Sequence, residues 1–281
     1  MTENNILTDA GEHEDPIIAQ GFRFFCRHFI GLTGAYVFVD ENGKEVGERR
    51  CFVYSGFVLS IKGRWMIATA GHILKTFDEN ADRIWLAESS IIDSFGDGHS
   101  KHSIPFNLKD APKFYRYDKE LGVDFGLIML NSNVERLLQA NNIVPIDEQN
   151  WINLEADKAT FHILIGLPTC FQDEKGILSG KRYQLSPAML IVNKLDPTPD
   201  NIPQTEYSRF VGQIDNRLNF DILGMSGGPI IGFSPDRTRY WVVAIQSGWL
   251  AKRKINFGCP IQVFTSLVED DWEQDTRESA E

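Results

Sequence analysis

The chain has 281 residues, 42% of them hydrophobic and 24% charged, and a net charge of −11, the balance of an ordinary globular protein. That acidity argues against nucleic acid or an anionic membrane as partner, because both are held by basic surfaces. No apolar run reaches membrane-span length, and the longest, such as Phe161 to Leu167, are strand-sized.

Residues Met1 to Asp15 are polar and acidic, with neither the basic start nor the apolar stretch of a secretory signal. The four cysteines, Cys26, Cys51, Cys170 and Cys259, are widely spaced and form no CxxC pair. A reduced, cytoplasmic chain with free thiols is the simplest expectation.

Within an acidic leader over 1–30, Ile17, Ile18, Phe22, Phe25 and Cys26 recur at helical spacing and predict a short amphipathic helix. From Gly31 onward the pattern changes to short β-type runs separated by turns. Ala35 to Val39 precedes Asp40-Glu-Asn-Gly43, a hairpin turn. Cys51 to Ser60 and Trp65 to Thr69 are joined by Lys62-Gly63, and the second run ends at Ala70-Gly71-His72. Further strands are expected at Arg83 to Glu88, Phe114 to Tyr117 and Phe125 to Leu130, with a turn of helix at Val134 to Ala140.

Beyond a linker around 141–151, strands are expected at Thr160 to Ile165, Tyr183 to Leu185, Met189 to Val192, Arg209 to Ile214, Ile230 to Phe233 and Tyr240 to Gln246. Val263, Phe264, Leu267 and Val268 return to helical spacing before an acidic tail over 271–281. Many short strands at turn-separated spacing predict an all-β fold. Two β halves, 31–147 and 148–270, predict two packed barrels.

Chemistry concentrates at Asp221-Ile-Leu-Gly-Met-Ser-Gly-Gly-Pro-Ile230. A lone serine on a glycine-rich turn suits nucleophilic attack, since neighbouring backbone N–H groups can converge on a developing oxyanion. The bland alternative is an ordinary Ser-Gly turn between strands. Ser226 needs a base. His13 lies in the leader, His28 follows the helix, His99 and His102 sit in a polar loop, and His162 opens an apolar strand. His72 instead follows an apolar strand and the small pair Ala70-Gly71, a rigid placement for a catalytic group. Asp124, directly before an apolar strand, is the best-placed carboxylate to orient it; Asp110 and Asp118 lie in charged surroundings.

The order His72, Asp124, Ser226 discriminates among scaffolds. Gly224-x-Ser226-x-Gly228 matches a nucleophile elbow, but that fold requires a histidine after the serine, and none follows His162. Asp124-Phe-Gly126 and Gly176 to Lys181 imitate kinase and phosphate-loop motifs without their companions. No histidine or cysteine spacing suits a metal, and no cofactor is expected.

Ala68-Thr-Ala-Gly-His72, Asp124-Phe-Gly-Leu-Ile-Met-Leu130 and Gly224-Met-Ser-Gly-Gly-Pro229 resemble the three signature blocks of the chymotrypsin/trypsin-like serine peptidases. The resemblance implies two packed antiparallel six-stranded β-barrels with a short C-terminal helix. It implies His72 as general base, Asp124 as its orienter and Ser226 as nucleophile, with the backbone N–H groups of Gly224 and Ser226 as oxyanion hole. It also implies a pocket base at Phe220 and a substrate-lining strand at Gln246, Ser247 and Gly248.

The position before the serine, an aspartate in secreted members that pairs with a newly cleaved N-terminus, is Met225 here. Zymogen activation by that route is not expected. The absent disulfide positions point to an intracellular, bacterial-type branch, and no appended peptide-binding domain is expected after the second barrel. The resulting expectation is a cytoplasmic serine endopeptidase acting on a peptide or protein substrate. Two alternatives stand beside it: a protease-fold peptide-binding module, and a latent protease switched on by a protein partner in stress or defence.

Overall fold

The computed structural model describes residues 6–8, 16–93, 95, 103–151, 158–179, 185–215 and 218–265. Its elements in chain order are β1 (Ile6–Thr8), α1 (Pro16–Cys26), β2 (Phe29–Val39), β3 (Glu45–Ile61), β4 (Arg64–Thr69), α2 (Gly71–Glu79), β5 (Ile84–Ile92) and β6 (Ser103–Pro105). They continue with β7 (Lys113–Asp118), β8 (Val123–Met129), α3 (Ser132–Ala140), β9 (Phe161–Gly166), α4 (Glu174–Leu178) and β10 (Ala188–Lys194). The last are β11 (Phe210–Ile214), β12 (Pro229–Phe233), β13 (Tyr240–Leu250) and β14 (Ile255–Pro260). Residues 261–265 are helical, so the expected C-terminal helix begins there; its continuation, like the expected strand at Tyr183 to Leu185, falls largely outside the described residues.

The all-β architecture expected from the sequence is what the chain adopts. One sheet runs β6-β5-β2-β3-β4-β8-β7. The other runs β1-β10-β11-β14-β13-β12-β9, and an additional β10–β9 pairing closes six of its strands into a barrel. No pairing between β6 and β7 closes the first sheet among the described residues. The leader also contributes something the sequence did not announce: β1 lies antiparallel to β10, with Ile6 opposite Leu190.

Local chemistry fixes the registers. Val39 pairs with Glu45 across the Asp40–Gly43 turn, where the Asp40 carboxylate accepts from the backbone of Asn42 and Lys44 at 2.9 Å each. Ile61 pairs with Arg64, leaving Lys62 (φ 48°) and Gly63 (φ 77°) as a two-residue turn of the kind whose twist matches the strands it joins. Asn131 caps α3 by accepting from Asn133 and Val134 at 3.0 Å, satisfying orphan donors of its first turn.

Two apolar cores lie within the sheets, around Ile30, Ile67 and Ile128 in one and Leu164, Leu190 and Ile230 in the other. A third joins them. Phe57, Ala68 and Phe125 from the first sheet pack with Val242, Ile245, Cys259 and Phe264 from the second half of the chain. Phe264 stands edge-on to Phe125 at 5.1 Å and to Trp151 at 5.6 Å, a geometry that adds aromatic complementarity to the burial. Phe125 follows Asp124 directly, so this shared core fixes the strand that carries the carboxylate.

Candidate active site

His72 is the second residue of α2, three residues beyond the end of β4 at Thr69, and Asp124 lies on β8. Those two strands are neighbours, with Thr69 opposite Gly126. The register brings the carboxylate to the start of the helix, where it accepts twice from His72. The ring Nδ1 lies 2.7 Å from Oδ2 and the backbone N–H donates to Oδ1 at 2.9 Å. A carboxylate offers only acceptors, so Nδ1 carries the proton and Nε2 is left as the basic nitrogen. The imidazole is one-third exposed and Asp124 is buried. Tyr117 flanks the ring with centroids 5.8 Å apart. The rival carboxylates are engaged elsewhere: Asp118 caps Glu120 and Leu121, and Asp110 accepts from Asn107.

A cleft of about 250 Å³ holds His72 and Ser226 in one lining, together with Gly224, Leu223, Tyr54 and Thr169. Among the described residues no hydrogen bond joins Ser226 to His72; such contacts are often long before substrate arrives. Leu223 forms an exposed lip at 69% of its full surface.

The serine turn is ordered by its carbonyls. Met225 N donates to Ile222 O at 3.0 Å, and Gly224 has φ +93° at the third position of that turn, the geometry of a type II turn. Thr169 N donates to Leu223 O at 2.7 Å, Ser55 Oγ to Gly224 O at 2.9 Å, and Gly228 N to Met225 O at 3.0 Å. Leu223 N is held by Asp221 Oδ1 at 2.9 Å and Gly227 N by Gln246 O at 2.8 Å. From Leu223 to Gly228, the N–H groups without an acceptor among the described residues are those of Gly224 and Ser226. Two unpaired donors on either side of Met225 are what an oxyanion would use.

Close packing underlies that arrangement. Gly227 has φ +89°, and a Cβ there would collide with Ser55 O and Thr69 Oγ1. The turn therefore presses directly on β3 and β4, the second of which leads into His72. Met225 is fully buried among Leu164, Leu190, Ile222 and Ile230, with its Cβ against Gly166. An apolar side chain anchors the turn at this position.

The remaining expected site residues fall differently. Phe220 does not line this cleft; it packs on Phe171 with ring centroids 4.5 Å apart, at the edge of the barrel core. The Gln246 side chain is buried, and its backbone holds both Gly227 and Gly228. Ser247 and Gly248 sit half-buried at a bulge in β13, outside the lining of this cleft. His28 and His162 are buried away from the cleft, the first with Nδ1 2.6 Å from Val144 O, the second against Phe210. His13, His99 and His102 lie outside the described residues. Sequence reasoning missed Ser55 and Thr169, whose only signal was a hydroxyl beside Gly56 and one beside Pro168.

The four cysteines are free thiols. Burial pushes Cys259 up to about 12, keeping it a neutral packing group. No helix among the described residues is long and apolar enough to cross a membrane.

No family model matches the chain, and no curated protein sequence matches it. Among solved structures, a Glu endopeptidase in complex with MPD is similar in overall path, at 14% identity over 96% of this chain and 97% of that one, with a TM-score of 0.49. So remote a likeness leaves the fold to the strand pairings and the chemistry to the residues above.

Proposed function

We propose that the chain is a serine endopeptidase of the chymotrypsin/trypsin-like type. The observation that carries this reading is the convergence on one cleft of an Asp124-oriented His72, Ser226, and the two unpaired N–H groups of Gly224 and Ser226. In this reading Ser226 Oγ attacks the scissile carbonyl as its proton passes to His72 Nε2. Asp124 stabilises the imidazolium so formed, and the two N–H groups hold the oxyanion. The C–N bond breaks when His72 returns the proton to the leaving amine, giving an acyl ester on Ser226. Water, deprotonated by the same imidazole, then releases the acid.

The substrate is a peptide or protein, and the free thiols fit a reducing, cytoplasmic setting. Ser226→Ala is expected to abolish cleavage of a peptide library that wild-type protein digests; equal digestion by both would sink the assignment. The missing hydrogen bond between His72 and Ser226 favours a second reading, a module that binds peptides without cleaving them. Binding of library peptides by wild-type protein with no cleavage product would select it.

A further inference from the structure

We propose that Ser55 is the positioning residue of this site: its hydroxyl, rather than a cleaved terminus or an activating partner, holds the 222–225 turn in its oxyanion-binding form. The inference rests on the reading of the chain as a serine endopeptidase. Ser55 lies on β3, fully buried. Leu167 N donates to its oxygen at 2.9 Å, so its own hydrogen is left for Gly224 O, also at 2.9 Å. The direction of that bond follows from the network, since a backbone amide can only donate and a carbonyl can only accept.

The consequence is geometric. In a trans peptide the N–H points opposite to the C=O, so whatever fixes a carbonyl also aims the amide of the same unit. Thr169 N fixes the Leu223 carbonyl at 2.7 Å and thereby directs Gly224 N–H away from Thr169. The next unit, Gly224–Met225, is held at both ends, its carbonyl by Ser55 Oγ and its N–H by Ile222 O. A glycine between two peptide units can turn either one over at little cost, so both must be held. Burial of Met225 anchors the turn but does not choose among orientations, because the hydrophobic effect is non-directional. Direction comes from hydrogen bonds, and the Ser55 hydroxyl is the side-chain donor among them.

Ser55 also ties the turn to the base. Its carbonyl accepts from Thr69 Oγ1 at 2.8 Å, and Thr69 ends the strand that leads to His72. One residue thus spans the two halves of the site through partners 14, 112 and 169 positions away in the chain.

The test compares wild type, Ser55→Ala and a remote core control, Ile104→Val, on a fluorogenic peptide copied from a site that wild type cleaves. Loss of one oxyanion donor typically costs about 10²–10³ in kcat, and partial misalignment predicts a fall of about 10–100-fold for Ser55→Ala, with KM changed by less than about 2-fold. Affinity for the matching peptide boronic acid, whose tetrahedral oxygen occupies the same hole, falls by the same factor as kcat/KM. Ile104→Val keeps wild-type kcat per active site.

A folded Ser55→Ala protein with kcat and boronate affinity within about 2-fold of wild type overturns the inference and leaves the peptidase reading intact. Wild-type protein without Ser226-dependent turnover overturns both. If Ser55→Ala does not fold, Thr69→Val unties the Ser55 carbonyl at a smaller folding cost and predicts a loss of about 3–10-fold; undiminished kcat in that variant then overturns the inference.

Discussion

Asp124 accepts two hydrogen bonds from a single residue, the His72 ring at 2.7 Å and the His72 backbone at 2.9 Å. The pair fixes both the tautomer of the imidazole and its position at the start of α2. Asp124→Asn tests this. An amide can donate where the carboxylate accepted, favouring the tautomer with the proton on the wrong nitrogen. Turnover is expected to fall by about 10³–10⁴ with little change in melting temperature. Steady-state kinetics on any cleaved peptide checks it, and a loss below about 10-fold would detach Asp124 from the mechanism.

Gly227 sits where its φ of +89° and its approach to Ser55 and Thr69 leave no room for a side chain. Gly227→Ala is expected to cost about 2–4 kcal/mol from strain and displacement together, lowering the melting temperature by about 5–15 °C. The displaced serine turn should also abolish turnover. Thermal denaturation and peptide hydrolysis on the same preparation separate the two effects.

Acid sensitivity follows from two buried histidines. Burial lowers His28 to about 4, where Arg27 adds repulsion, and lowers His162 to about 4, where Lys194 does the same. Arg27 also donates to His28 Nε2 at 3.1 Å, which requires a neutral ring. Both groups are neutral when folded and take up protons more readily when unfolded. Their contribution is therefore complete above the ordinary histidine value of about 6.5 and is lost as pH falls from there towards 4. Each is expected to remove about 3 kcal/mol over that window. His162→Leu should flatten its share of the difference between melts at pH 7.5 and 4.5, and an unchanged pH slope would contradict the buried, neutral assignment.

The Met225 contact predicts a different failure. Met225→Asp would bury a carboxylate among Leu164, Leu190 and Ile230. The residues that enclose Met225 there are apolar and offer a carboxylate no partner of their own. Burying such a charge unpaired costs several kcal/mol, so the variant should express as insoluble or unfolded protein. A soluble, active Met225→Asp enzyme would show that the chain holds a partner for that charge.

What the sequence made legible was local. The Asp40–Gly43 and Lys62-Gly63 turns, the run into His72 and the serine turn each carry their signal in a few adjacent residues. Strand β14 went unread because Gly258, Cys259 and Pro260 interrupt its apolar pattern, although every residue from Ile255 to Cys259 is buried. Helix α2 was obscured by its start at Gly71 and by the polar Lys75-Thr76 pair on its outer side. Phe220 reads as a pocket base only by its distance from the serine, whereas in the fold it packs on Phe171, 49 residues earlier, with ring centroids 4.5 Å apart. Ser55 was invisible for the same reason: a buried hydroxyl declares its role through partners that only the fold brings near.

Fluorophosphonate labelling followed by peptide mass mapping asks whether Ser226 is a nucleophile activated by His72. One adduct is expected, on Ser226, absent from Ser226→Ala and formed more than about 100-fold more slowly by His72→Ala. No adduct on folded wild-type protein, or one that persists in Ser226→Ala, would contradict it.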